Sequence, residues 1–297
     1  MILIVGASGR LGGIVARRLL ADGQAVRAMS RAPEKLAALS SAGAEVVAGD
    51  LRDPATLRRV CQGVEAILSA AHAFDGRGAN TPRTVDDEGV RQLIEAAQAA
   101  GVGQFVLMSI QGARADHPVD LFRAKFRAEQ ALKASGLSAT ILRPSAFMEL
   151  WLNIIGEPML KQGKALIFGR GENPINFVSV EDVARFALIG LRDPQARGLT
   201  IEVGGPENRS LAQVVALIER ATGKTVGRQR IPLPALRAMS VLARPFNPAF
   251  ARQAATAAYM DTHDMTFDAA ATLRRFPGAL RGMQEVARSQ FGAAAVA

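Results

Sequence analysis

Short apolar runs alternate with longer amphipathic stretches over the first 143 residues. Residues 2–5, 25–29, 45–47, 66–70, 104–108 and 139–142 have strand length and strand composition. Between them, residues 13–21, 33–38, 54–61, 85–100 and 119–135 carry helical spacing. Apolar strands separated by helices predict an α/β chain with a doubly wound parallel sheet, covered on both faces. After residue 142 the order changes. Residues 147–162 read as a helix broken at Gly156 and Pro158. Strands follow at 165–168, 175–178 and 200–203, with helices at 180–191 and 211–222. Residues 231–291 hold proline-separated helices. The expected division is a nucleotide-binding domain at 1–150 and a smaller C-terminal substrate lobe at 151–297, with room for returns to the main sheet. Local chemistry marks several helix starts: Asp53 before Pro54, Ser210 with Gln213, and Ser179 with Asp182.

The first strand runs directly into Gly6-Ala7-Ser8-Gly9-Arg10-Leu11-Gly12 and then a helix. A glycine-rich turn between strand and helix is the arrangement that holds a dinucleotide pyrophosphate. Gly6 permits the tight turn, Gly9 keeps a side chain out of the phosphate's way, and Gly12 brings helix and strand together. Ser8, Arg10 and Leu11 complete the expected cofactor contacts of this loop. In such folds an acid about twenty positions further on holds the adenosine ribose. Here the second strand closes with Ser30-Arg31 and has no carboxylate there. Arg31, supported by Lys35, fits a 2′-phosphate and predicts NADP(H). The alternative is a solvated surface arginine. Asp50, followed by Leu51, sits where it can accept from the adenine, or serve as a turn residue. Ala70 and Ala71 follow the fourth strand and offer small residues for the cofactor to cross, and His72 after them either touches the nicotinamide ribose or is a loop residue.

The formal charge is +9, but the basic residues are spaced singly, mostly as arginine with acids among them. No run of five or six like charges occurs, so nucleic acid is not the expected partner. No apolar run approaches the ~20 residues of a membrane span, and no membrane partner is expected. The single cysteine, Cys61, excludes an internal disulfide and is read as a packed residue. The three histidines are widely separated and give no metal site. This usage suits a cytoplasmic protein. Helices 85–100 and 119–135 offer faces for a homodimer, which composition neither requires nor excludes.

Beyond the glycine loop the chain carries an ordered series of motifs. They include Gly49-Asp50-Leu51, Val85-Asp86-Asp87-Glu88-Gly89-Val90, Phe105-Val106-Leu107-Met108-Ser109, Lys125 and Ile141-Leu142-Arg143-Pro144. Asn176-Phe177-Val178-Ser179-Val180-Glu181-Asp182 and Gly204-Gly205-Pro206-Glu207 continue it. The series resembles the NmrA-like group of atypical short-chain dehydrogenase/reductases, from residue 1 to about 226. The resemblance implies a Rossmann-type fold with NADP(H) bound. The group holds reductases of quinones, phenylpropanoids and sugar derivatives, and also members that bind the dinucleotide without turnover and regulate a partner.

Ordinary members of the superfamily use Tyr-x-x-x-Lys. Lys125 stands at the lysine position, but Leu121 replaces the tyrosine and has no proton to give. The resemblance makes Lys125 and Ser109 the candidate catalytic residues, Lys125 also as a contact to the nicotinamide ribose. The alternatives are a surface lysine and a hydroxyl serving nearby backbone. His117 is a substitute acid by type, or an exposed loop residue. Pro144 and Phe147 fall where the group passes the nicotinamide. Phe147, Met148 and Trp151 form either an apolar wall for a flat ring or ordinary core packing. Three functions follow: an NADPH-dependent reductase of a small quinone-like or carbonyl substrate with an apolar ring, a non-catalytic NADP(H)-sensing regulator acting through a protein partner, or an epimerase or assembly factor that merely retains the dinucleotide.

Overall fold

The computed structural model describes residues 1–292. Two compact units emerge: Met1–Arg143 with Val183–Glu202, and Pro144–Asp182 with the chain from Val203 onward.

The first unit is built on the strands β1 (Ile2–Val5), β2 (Val26–Ser30), β3 (Glu45–Ala48), β4 (Ala66–Ser69), β5 (Gln104–Met108) and β6 (Ala139–Pro144). In the second half of the chain β10 (Thr200–Val203) joins beside β6. The sheet order is β10-β6-β5-β4-β1-β2-β3, and all seven strands are parallel. Strand order reverses between β1 and β4, which makes the carboxyl ends of these two strands the switch point of a doubly wound sheet. Helices α1 (Arg10–Ala21), α2 (Ala37–Ser41), α3 (Pro54–Val60), α4 (Val90–Ala99) and α5 (Asp120–Ala134) connect the strands. Leu3, Val5, Leu57, Ile67, Leu93, Phe105, Leu107 and Leu132 share one core cluster, which explains why these strands read as unbroken apolar runs.

Two elements of this unit differ from the sequence expectation. Residues 33–38 are not one helix: Pro33–Leu36 is a 3₁₀ turn, and α2 begins after it. The helix expected from residue 85 starts earlier, and its first part, Pro82–Gly89, is π-helical. Thr81 sets the start. Its hydroxyl accepts from the Thr84 N–H at 3.1 Å, while the Thr84 hydroxyl accepts from the Thr81 N–H at 3.0 Å. Threonine in place of the usual Glu or Gln hid this cap. Asp53 caps α3 as its sequence suggests, accepting from the Ala55 N–H at 3.0 Å.

The second unit contains β7 (Ala146–Phe147), α6 (Met148–Gln162), β8 (Lys164–Phe168), β9 (Ile175–Val178) and the start of α7 (Val180–Arg192). From Val203 onward it adds β11 (Asn208–Arg209), α8 (Leu211–Thr222), β12 (Gly227–Ile231), α9 (Leu233–Leu242), α10 (Pro248–Thr262), α11 (Ala270–Arg275) and α12 (Met283–Phe291). β7, β9 and β11 form a small sheet, and β8 pairs with β12 in parallel. The expected break in α6 does not occur. Met148, Trp151, Leu152, Ile155 and Met159 are buried on both sides of Pro158, and this packing outweighs the ~3 kcal/mol that an internal proline costs. Gly156 is small for a reason: a Cβ there would lie 2.5 Å from the Phe291 ring. Ser210 and Gln213 form the expected capping box of α8. The Ser179 hydroxyl accepts from the Glu181 N–H at 3.1 Å, and the Asp182 carboxylate accepts from the Arg281 N–H at 2.9 Å.

Candidate cofactor and reaction site

The three glycines of the first loop each meet a distinct backbone demand. Gly6 has φ +87°, and a Cβ on it would stand 2.8 Å from the Ala71 nitrogen. The turns after β1 and β4 therefore touch at the switch point. A Cβ on Gly12 would overlap the Gly6 carbonyl oxygen. Gly9 is the N-cap of α1, without a side-chain cap and without an acid in the first turn. The helix thus presents N–H groups that have no intrahelical acceptor, at the positive end of its dipole. Ser8, Gly9 and Arg10 are exposed, and Leu11 is half-buried. A pyrophosphate fits this cradle: the backbone is bare where it must approach, and no carboxylate opposes it.

Around the end of β2, side chains extend the same surface. The Ser30 hydroxyl donates to the Ser8 hydroxyl at 3.0 Å and accepts from the Ala32 N–H at 3.1 Å, tying strand end to loop. Arg31 is exposed, and its guanidinium donates to the Asn80 side-chain oxygen. Lys35 is exposed nearby in sequence. Asp50 is half-buried and engaged by Arg52, whose Nη2 lies 2.5 Å from Oδ2 and whose N–H donates to Oδ1 at 2.9 Å. The Arg52 hydrogen bond holds the Asp50 carboxyl below the usual range, against a smaller opposing effect of burial. Leu51 is buried in the core beside Gly89.

At the ends of β4 and β5 the charges are internal. Lys125 is neither a surface residue nor solvent-facing. Its Nζ lies 2.8 Å from Asp86 Oδ1 and donates to the Met108 carbonyl at 2.9 Å. Asp86 is fully buried, and its other oxygen accepts from the Ala73 N–H at 2.9 Å. One ion pair thereby joins α5, the π-helical segment, the end of β5 and the turn after β4. His72 in that turn is exposed, and its Nδ1 accepts from the Phe74 N–H at 3.3 Å. Surrounding protein atoms still pull its imidazole below the ordinary value by desolvation. Asp86 opposes that shift, and Lys125 adds to it. With Nδ1 accepting, a neutral His72 carries its proton on Nε2.

Ser109 is buried, and its hydroxyl donates to Glu129. Glu129 is fully buried and held two-pronged by Arg143, at 2.6 and 2.8 Å. Arg143 also reaches Glu202 at 3.1 Å. The Glu129 hydrogen bonds raise the Arg143 pKa, whereas burial raises that of Glu202. Leu121 is buried, as its apolar character demands. His117 is fully buried rather than exposed, stacked on Phe122 with ring centroids 3.9 Å apart.

In the second unit, Pro144 is buried and Phe147 half-buried. Met148 and Trp151 belong to that unit's core, with Trp151 edge-on to Phe168 and Phe177. They are packing residues, so Phe147 alone of the three keeps an open edge. Sequence reasoning gave no role to Asn80, Asp86 or Glu129. Asp86 lies in a motif already singled out, but nothing marked its partner. Asn80 and Glu129 carried no signal at all. Among the described residues no group of three or more His, Cys, Asp or Glu gathers as a metal site would.

A reversed strand order, a bare glycine cradle at its switch point and an uncapped helix aimed across it define a Rossmann-type dinucleotide-binding protein. A model of the NAD(P)H-binding family matches residues 6–194, and the chain belongs to that family. It binds NAD(P)(H). The chain is 31% identical to the chloroplastic protein High Chlorophyll Fluorescence Phenotype 244 of Arabidopsis thaliana, over 82% of this chain but 61% of that one. It is 32% identical to the photosystem II assembly factor Ycf39 of Synechocystis, over 82% of this chain and 74% of that protein. An NAD(P)H azoreductase of Xenophilus azovorans is 31% identical over 82% of each. Among solved structures, an NADPH-dependent quinone oxidoreductase of Escherichia coli complexed with NADPH shares the fold. Its TM-score is 0.77 at 24% identity, covering 98% of this chain and 100% of that one.

Proposed function

We propose that the protein is an NADPH-dependent reductase of a small quinone-like or carbonyl substrate. The observation that carries the cofactor choice is Arg31, a cation anchored by Asn80 at the end of β2 where no carboxylate stands. Likeness to an NAD(P)H azoreductase supports reductase activity. In this reading Gly6, Gly9, Gly12 and the N–H groups of Arg10 and Leu11 hold the pyrophosphate. Arg31 and Lys35 take the 2′-phosphate, and Asp50, Ala70 and Ala71 border the adenine and ribose. The bound nucleotide supplies the hydride.

The protein's own contribution is positioning. Lys125 is committed to Asp86 and Met108, so it fixes the turn after β4 through the Ala73 N–H. Ser109 is committed to Glu129 and fixes the end of β5. Neither is free to move a proton without breaking a buried contact. The exposed His72, with its N–H on Nε2, offers a hydrogen bond to the substrate oxygen, and the proton itself comes from water. A quinone tolerates this sparse acid–base set because its ring spreads charge before protonation.

The test is NADPH oxidation followed at 340 nm against a panel of quinones. Turnover above the buffer rate with at least one, lowered by His72→Ala, is the expected result. Nucleotide binding without turnover across the panel overturns it. A second reading rests on Leu121 and on the committed Lys125: a protein that retains the nucleotide, transfers nothing and signals to a partner, consistent with likeness to an assembly factor. Pull-down with NADPH, NADP⁺ or neither separates the two, because only a regulator changes its partners with cofactor state.

A further inference from the structure

The acids of this chain are not mixed evenly with its bases. Seven of its 36 Lys and Arg residues fall within residues 220–260, where no Asp or Glu occurs, against 29 bases and 27 acids elsewhere; of the seven, Arg228 reaches Glu219 at 3.0 Å and Arg252 is buried. Singly spaced cations hid this excess.

The same span contains the hairpin of α9 and α10. Its turn is ordered. The Ala243 N–H donates to Met239 at 3.1 Å, and the Asn247 N–H donates to Ala243 at 2.7 Å. The Asn247 side chain then accepts from the Phe250 N–H at 3.1 Å, with Pro248 opening α10. This fixed turn holds Phe246 89% exposed, Leu242 71% and Val241 68%, with Phe250 also exposed. The inner side of α10 is already filled by the buried Ala249, Ala251, Ala254 and Ala257, so burial within the fold does not account for the outer residues. Exposed Arg237 lies one helical turn before Val241, and exposed Arg244 lies between Leu242 and Phe246. Single exposed apolar residues are ordinary; four within ten positions, on a capped turn and flanked by arginine, are a surface with a use.

We propose that the α9–α10 hairpin tip docks the protein onto an anionic lipid surface. Phe246, Leu242 and Val241 enter the headgroup boundary, and Arg237 and Arg244 meet lipid phosphates. Charge complementarity selects this occupant. A second copy of the chain would bring a like-charged face, and a nucleic acid would leave the aliphatic residues in water. Among the described residues no helix is long and apolar enough to cross a membrane, and an interfacial contact needs none. An anionic lipid surface departs from the expectation of no membrane partner, which rested on the lack of a spanning run.

The full chain, loaded with NADPH, is sedimented with vesicles of phosphatidylcholine alone and with phosphatidylglycerol added. Binding is expected only with phosphatidylglycerol, falling as salt rises. Phe246→Ser with Leu242→Ser, or Arg237→Ala with Arg244→Ala, weakens it by about tenfold or more without altering NADPH binding. A Phe246→Trp variant shifts its emission to the blue on those vesicles. No sedimentation at low salt overturns the proposal. So does equal binding of the Phe246→Ser, Leu242→Ser variant, which would reduce the contact to bulk charge. A dimer in solution dissolved by that same double substitution overturns it too, and assigns the face to self-association. NADPH oxidation plays no part in these readings, so failure of the reductase proposal leaves them intact.

Discussion

The two ends of the first unit's candidate site are built in opposite ways. At the switch point the work is done by missing side chains and unpaired positive potential: Gly6, Gly9 and Gly12, an uncapped α1, and exposed Arg10, Arg31 and Lys35. At the end of β5 the side chains are present and mutually satisfied: Lys125 on Asp86, Ser109 on Glu129, Glu129 on Arg143. The first region waits for an anion. The second has already neutralised itself, and its charges hold shape rather than wait for a ligand. Nucleotide binding is therefore more strongly written into this molecule than acid–base chemistry.

Gly12→Val strikes the waiting region hardest. Its added carbons meet the Gly6 carbonyl and the Ala7 backbone, neither of which is a flexible side-chain end. We expect loss of NADPH binding by calorimetry together with destabilisation of about 3 kcal/mol or more in urea unfolding. Normal binding would show that the cradle is not where the nucleotide sits.

Asp86→Ala strikes the neutralised region. It leaves a buried ammonium without its counter-charge, and about 3–5 kcal/mol of stability should go with it. Pairing it with Lys125→Met should recover much of that loss. No recovery in the double variant would mean that Asp86 acts through the Ala73 N–H rather than through Lys125.

A smaller and more selective effect is expected for Arg31→Ala. NADPH binding should weaken by roughly ten- to a hundredfold, with NADH little changed, since a charge-assisted Arg–phosphate hydrogen bond contributes about 1.5–3 kcal/mol. Equal losses for both nucleotides would remove the selectivity argument.

The mildest prediction concerns Cys61, buried between the two regions in sequence and free of any disulfide. Burial pushes its thiol up to about 11. Raising the pH from 7 to 8 should leave native Cys61 unlabelled by a thiol reagent over minutes, with labelling appearing only as the protein unfolds. Rapid labelling of the native protein would place Cys61 in a far looser core than the structure shows.

The sequence was legible where one segment carries its own reason. β1, β5 and β9 are found at their expected bounds because each is a short run buried on both faces. The glycine loop was legible because a strand, a turn and a helix start adjoin in the chain. Legibility failed where meaning depends on distant partners. Arg31 and Asn80 are 49 residues apart, and nothing local in Asn80 announces the contact. Lys125 reads as an exposed position on an amphipathic helix until Asp86 is placed opposite it. The break expected in α6 failed for the same reason, because Phe291 and the core around Met159 lie far along the chain.

The π-helical segment gives two adjacent aspartates separate duties: Asp86 turns to Lys125 and Ala73, Asp87 to Arg91 and Arg127. A wider spiral carries a residue more per turn than an α-helix would. Trimming one position from it would swing the carboxylates by about 100° relative to α4, so neither would keep its present assignment. Length in this stretch is thus under tighter control than composition, and a shortened version must rewire three ion pairs at once.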